Sequence, residues 1–190
     1  MIYLLYDTAL NGLYTLNLLK KAYHNNLSLF KGTKDENLFD VAPYLFHIDD
    51  KLFENINDQY VSLEEIIIVE SDVKLNDLLV HFKYFIYQTI KGQQNYFRFW
   101  DARVLARFLP ACTDEKLNSF FDGIKTFYVL DIEKAAAKSF YISRAKLKSA
   151  NSALNKLFVL PNDEQAALQN ENSAEIKTDE SKKIKREFFK

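Results

Sequence analysis

The chain has 190 residues and a net charge of −1, enough length for one domain with its own core. Its single Cys excludes an internal disulfide, and no uncharged apolar run reaches the ~18–20 residues that a bilayer span needs. The first residues also lack a cationic stretch followed by an apolar run and a small-residue cleavage site, so a cytoplasmic protein without a membrane partner is expected.

Sixteen Phe and eleven Tyr beside four Gly and three Pro favour long regular elements. Ile2–Tyr6 reads as a largely buried first strand. Leu13–Tyr23 follows as a helix whose stripe is Leu13, Leu16, Leu19 and Tyr23, ended by Asn25-Asn26. Leu27–Phe30 is a short strand, Lys31–Glu36 a polar loop, Tyr44–Ile48 another strand, and Asp49–Tyr60 a helix or turn. The β-branched run Ile66–Val69 suits a central strand covered on both faces. Ser71 is placed to cap the next helix, where Leu75, Leu78, Leu79, Phe82, Phe85 and Ile86 recur at helical spacing and Gly92 ends it.

Alternation over Tyr96–Trp100 predicts a strand with Phe97 and Phe99 on one face and Tyr96, Arg98 and Trp100 on the other. Asp101 stands where the N-cap of a 102–109 helix belongs, and Pro110 stops that helix. Thr113 caps a further short helix with Asp114 and Glu115 in its first turn, Gly123 ends it, and Lys125–Leu130 is a last strand. Strands alternating with helices predict an α/β body over residues 1–131, a mixed sheet with flanking helices.

From Ile132 the character changes. Ala136, Phe140, Ser143, Leu147, Ala150, Leu154 and Leu157 recur at alternating spacings of four and three, the seam of a coiled-coil-type helix. Residues 132–160 are therefore expected to form a long basic amphipathic helical arm, lying back on its own domain or docking a partner. The charges divide in the same place. Residues 1–131 hold 13 Lys/Arg against 18 Asp/Glu, or −5, while residues 132–160 hold six against Glu133 alone, or +5. Residues 161–190 carry six against seven, and their polar composition reads as a disordered tail.

Signatures of catalysis are missing. His24, His47 and His81 lie far apart with no ligand spacing between them, which argues against a metal site. Cys112 sits at a helix cap, a position that can lower a thiol's pKa, but no neighbouring histidine marks it as a nucleophile. There is no Gly-rich phosphate loop and no Gly-x-Ser-x-Gly elbow. Tyr96–Phe99 faintly resembles aromatic RNA-binding strands, yet the acidic body would repel a phosphate backbone. No catalytic residue, cofactor, metal or nucleic-acid partner is expected.

The densest cluster of fixed polar groups is Arg98, Asp101 and Arg103 beside Trp100. Because structural ion pairs outnumber functional ones, Arg98, Asp101 and Arg103 are expected to form an internal charge network that holds a strand–helix corner. The segment also resembles the signature of the effector-adaptor family of bacterial type VI secretion, which reads Phe-Arg-Phe-Tyr-Asp-Pro-Arg-Val-Leu. Here Trp100 replaces the tyrosine and Ala102 the proline. Tyr3–Asp7, Ala42–Phe46, Glu70–Asp72 and Phe120–Ile124 extend the resemblance over about residues 1–131.

That resemblance implies a cytoplasmic adaptor, or chaperone, that binds a secreted effector and places it on a VgrG-type spike without chemistry of its own. Arg98, Trp100, Asp101 and Arg103 are then signature residues with a structural or partner-binding role. Independently of the resemblance, the basic arm is a candidate capture surface through Phe140, Leu147, Leu154 and Leu157. Two other readings stand beside it. One is a small enzyme or anionic-ligand domain centred on Arg98, Asp101 and Arg103 in a concave pocket. The other is a structural protein that self-associates through the heptad seam.

Overall fold

Apolar residues with β-branched and aromatic side chains build the centre of the molecule, in a computed structural model that describes residues 1–160. Strand β1 (Ile2–Asp7) lies between β3 (Pro43–Ile48) and β4 (Ile67–Ser71), and its residues Tyr3 to Tyr6 are all buried. Further strands are β2 (Asn26–Ser28), β7 (Ile124–Asp131), β8 (Ala136–Ser143) and β9 (Lys146–Ala153). They form one seven-stranded sheet in the order β2-β3-β1-β4-β7-β8-β9. A separate hairpin pairs β5 (Tyr87–Ile90) with β6 (Gln93–Tyr96).

Every neighbouring pair in the large sheet is antiparallel, which corrects the expected mixed sheet. Alternation of strands and helices does not fix strand direction; where each connection lands does. Helix α1 (Thr8–Ala22) carries the chain from β1 to β2, with β3 between them. Residues 72–123 leave β4 and return to its antiparallel neighbour β7.

Directly opposed residues share a face of the sheet. Tyr3, Val69, Phe127 and Phe140 therefore form a row across four strands, each at most 1% exposed. The 72–123 connection covers that row with α3 (Leu75–Ile86), α4 (Ala102–Ala111) and α5 (Asp114–Phe120). The Phe120 ring stacks on Phe127 at 5.3 Å, and Phe82 lies 5.1 Å from Phe99. Leu4, Phe46, Ile68 and Tyr128 stand on the opposite face. There α1 packs with Lys20 Nζ 4.1 Å above the Tyr44 ring.

Local signals fared unevenly. Thr113 caps α5 as expected, and Pro110 falls in the last turn of α4. Gly12, at φ 80° and ψ 169°, breaks α1 near the expected start of its helix, and Leu13 is exposed rather than part of the stripe. Ser71 does not cap α3. Its hydroxyl donates to the Gly123 carbonyl at 2.6 Å and accepts from Val73 N at 3.0 Å, tying β4 to the turn before β7. Gly92 is no helix cap either; with Lys91, also at positive φ, it makes the two-residue turn between β5 and β6.

The long C-terminal helical arm is not present. Residues 136–153 form the β8–β9 hairpin, closed by Arg144 and Ala145 at φ 51° and 60°. Ser139, Ser143, Ser149, Asn151 and Ser152 are poor helix formers, and as strands β8 pairs on one side with β7 and on the other with β9. The apolar seam residues consequently separate. Phe140 is 1% exposed against Phe127, and Leu154 is 2% exposed in a 3₁₀ turn, Leu154–Lys156. Leu147 and Leu157 are half-buried. Residues 154–160 fold onto α2 (Leu52–Asn55), where Phe158 meets Phe53 edge-on at 5.4 Å. The expected polar tail, 161–190, lies outside the described residues. No helix among the described residues is long and apolar enough to cross a membrane.

Candidate functional site

Two aspartates at the starts of two helices anchor the signature corner. Asp7 ends β1 and caps α1, accepting from Ala9 N at 3.1 Å. Asp101 caps α4, accepting from Arg103 N at 3.0 Å. Each cap is also held by a guanidinium. Arg98 Nη2 donates to Asp7 Oδ2 at 2.9 Å. Arg103 engages both oxygens of Asp101, through Nε at 3.0 Å and Nη2 at 2.8 Å. Both carboxylates are buried, with side-chain exposures of 2% for Asp7 and 8% for Asp101, whereas both arginines are about half exposed.

The expected three-residue network is thus two pairs, and Arg98 belongs to Asp7, 91 residues away in sequence. The segment between β6 and α4 is not a strand. A turn in which Asp101 N donates to the Arg98 carbonyl at 3.1 Å puts the side chains where they are. Phe99 and Trp100 both point inward, at 0% and 2% exposure. The Trp100 indole meets Phe30 at 5.9 Å and Tyr96 at 5.5 Å, both edge-on. Arg98 alone among residues 98–100 reaches solvent.

Proton affinities at the two caps move in opposite directions. Burial pushes Asp7 above the usual aspartate value despite Arg98, and the nearby Asp101 charge pushes the same way. Asp101 is held below that value, chiefly by the hydrogen bonds from Arg103, which outweigh its burial. Arg103 is correspondingly raised by Asp101. At Cys112 burial pushes the thiol up, not down, and Lys116 only partly opposes it.

The arginines face different spaces. Arg98 lines a cavity of about 370 Å³ with Phe30, Leu38, Val41, Tyr96 and Trp100. Asp101 and Arg103 line another of about 600 Å³ with Phe97, Val104, Arg107 and Phe108. Among the described residues, no group of three or more His, Cys, Asp or Glu is placed to hold a metal ion. The His47 ring lies tilted against Tyr3 at 5.3 Å, and His81 Nε2 lies 3.0 Å from the Phe120 carbonyl.

Two residues of this region do more than the sequence announces. Asp7 closes the Tyr3–Asp7 motif, but its pairing with Arg98 is not foreseen; its position, between a strand and a helix as at Asp101, was the available signal. Asn11 carried no signal. Its amide donates to the Glu64 carbonyl at 2.9 Å and accepts from Glu64 N at 2.6 Å, fastening the 57–65 loop to α1.

Residues 2–119 match the family described as Domain of unknown function (DUF4123). The chain belongs to the DUF4123 family. No curated protein and no solved structure matches it. The DUF4123 match runs from β1 to the penultimate residue of α5 and contains Asp7, Arg98, Trp100, Asp101 and Arg103. Strands β7, β8 and β9 lie beyond it, although β7 pairs with β4 inside it.

Proposed function

We propose that this DUF4123 protein is a cytoplasmic adaptor of type VI secretion, which binds a secreted effector and delivers it to a VgrG-type spike. The observation that carries this reading is the family match over residues 2–119, with the Arg98–Arg103 signature inside it. The pairing at that signature supports a scaffold. Each guanidinium is fixed to a buried carboxylate, and the two open on separate cavities instead of converging on one reactant. In this reading the protein performs no chemistry, needs no cofactor, and presents a surface to another polypeptide. Deleting the gene should stop secretion of the effector encoded beside it while other effectors still leave the cell, and the intact gene in trans should restore it. Unchanged secretion of every effector would refute the assignment.

One observation favours a second reading. Arg107 lines the 600 Å³ cavity together with Arg103 and Asp101, and a guanidinium there suits a phosphate or carboxylate ligand. Titration with inorganic phosphate and with nucleotides, followed by amide shifts at Val104 and Arg107, tests it. Saturable shifts there would favour ligand binding over the pure scaffold.

A further inference from the structure

Strand β9 ends the large sheet and, among the described residues, pairs only with β8. The two-residue turn makes Ser143 and Lys146 the closing hydrogen-bonded pair. Alternation then turns the backbone groups of Lys146, Lys148, Ala150 and Ser152 toward β8 and those of Leu147, Ser149, Asn151 and Ala153 outward. The Ser139 hydroxyl, donating to the Ala150 carbonyl at 3.1 Å, lies on that inner side. Eight residues pair without a register shift, and Ser149 to Ala153 are too small to shield the outer edge. An unbroken edge of this length invites another strand unless something deters it.

Here the deterrent is also a selector. Residues 132–160 carry +5 in a chain whose residues 1–131 carry −5. Lys134 is matched to Asp131 and Lys146 to Asp114, whereas Arg144 and Lys148 have no ion-pair partner among the described residues. Like charge repels the hairpin of a second copy; opposite charge on another chain is attracted. We propose that the outer side of β9 accepts an extended, acidic segment of a partner polypeptide as an eighth strand. Main-chain hydrogen bonds to Ser149 and Asn151 would hold it, and carboxylates facing Arg144 and Lys148 would choose it. The edge lies outside the family match, so the family does not assign it. The proposal rests on the adaptor reading only for the source of that segment.

The test uses the full chain and a short synthetic peptide alternating Glu with Val, beside the same peptide with Lys for Glu. The Glu peptide should bind, slow amide exchange at Ser149 and Asn151 but not at Lys148 and Ala150, and outbind the Lys peptide at least about tenfold at low salt. Asn151→Pro removes an outward donor and no ladder bond, and should abolish binding. Arg144→Glu with Lys148→Glu changes only surface charge and should reverse the peptide preference, which decides the matter even if the proline variant misfolds. Equal binding of both peptides, no added protection at Ser149 and Asn151, or protection already complete in the free chain would overturn the proposal. No effector enters this experiment, so its failure leaves the adaptor assignment standing and is distinct from failure of the secretion test.

Discussion

Asp7 and Asp101 do the same local work, capping a helix while held by an arginine, yet their surroundings set them apart. Burial dominates at Asp7 and hydrogen bonding at Asp101, so the first is raised and the second lowered. A lowered carboxyl releases its proton more readily in the folded state. Its stabilisation is complete above the unfolded value and lost as pH falls through the folded one. A raised carboxyl behaves oppositely, its contribution falling as pH rises through the folded value. Carbon-detected NMR titration should therefore place the two midpoints on opposite sides of the ordinary aspartate value. In denaturation at several acidic pH values, the stability lost in Asp101→Asn should grow with pH, and that lost in Asp7→Asn should shrink. At neutral pH, Asp101→Ala should cost about 0.5–2 kcal/mol through the missing cap. Full stability of that variant together with loss of a partner would make the corner a contact surface.

At the scale of elements, strand β7 and the turn before it show how side chain and backbone combine. Gly123 sits at φ 72°, and a Cβ there would fall 2.2 Å from Val73 Cγ2. Its carbonyl also receives the Ser71 hydroxyl. Gly123→Ala should destabilise by about 1–3 kcal/mol, and Val73→Ala should recover part of the loss; thermal or chemical unfolding of the three variants reads it. In the middle of the strand, Phe140 opposes Phe127, so Phe140→Ala should cost about 3–5 kcal/mol by the same measurement. An intact stability in that variant would return Phe140 to the surface role expected from the heptad pattern. Replacing Arg144-Ala145 by Asn-Gly should stabilise the hairpin by about 1 kcal/mol, because both positions lie in the left-handed region that those residues tolerate.

The same turn explains why the hairpin was hidden. Strand β4 and helix α5 were legible, since a β-branched run and a Thr-Asp-Glu start each carry their own local physics. Arg144-Ala145 announces no hairpin, and chance spacings of three and four in β8 and β9 imitate a helical seam. Likewise the Asp101 cap could be read from its neighbours, but the Asp7–Arg98 pair depends on a tertiary approach across most of the matched domain.

For the whole molecule, the division of charge survives the change from helix to hairpin. A body at −5 carries a compact strand pair whose segment bears +5. Association with an acidic partner should accordingly slow and weaken as salt rises, more than a purely apolar contact would. The fold also joins the family unit to the strands beyond its C-terminal limit. β7 completes the central sheet from outside the match, and Phe127 fills the core beneath α3 and α5. A truncation at the end of the match should therefore expose β4 and aggregate, which light scattering of the shortened chain would reveal.

An adaptor must grip another polypeptide. Co-expressing the full chain with the effector and the spike encoded beside its gene, then weighing the purified material by mass photometry, tests it most directly. The expected result is a complex containing all three, in which omitting this chain leaves effector and spike apart. Effector and spike assembling equally well without it, with this chain found alone, would show that it is not an adaptor.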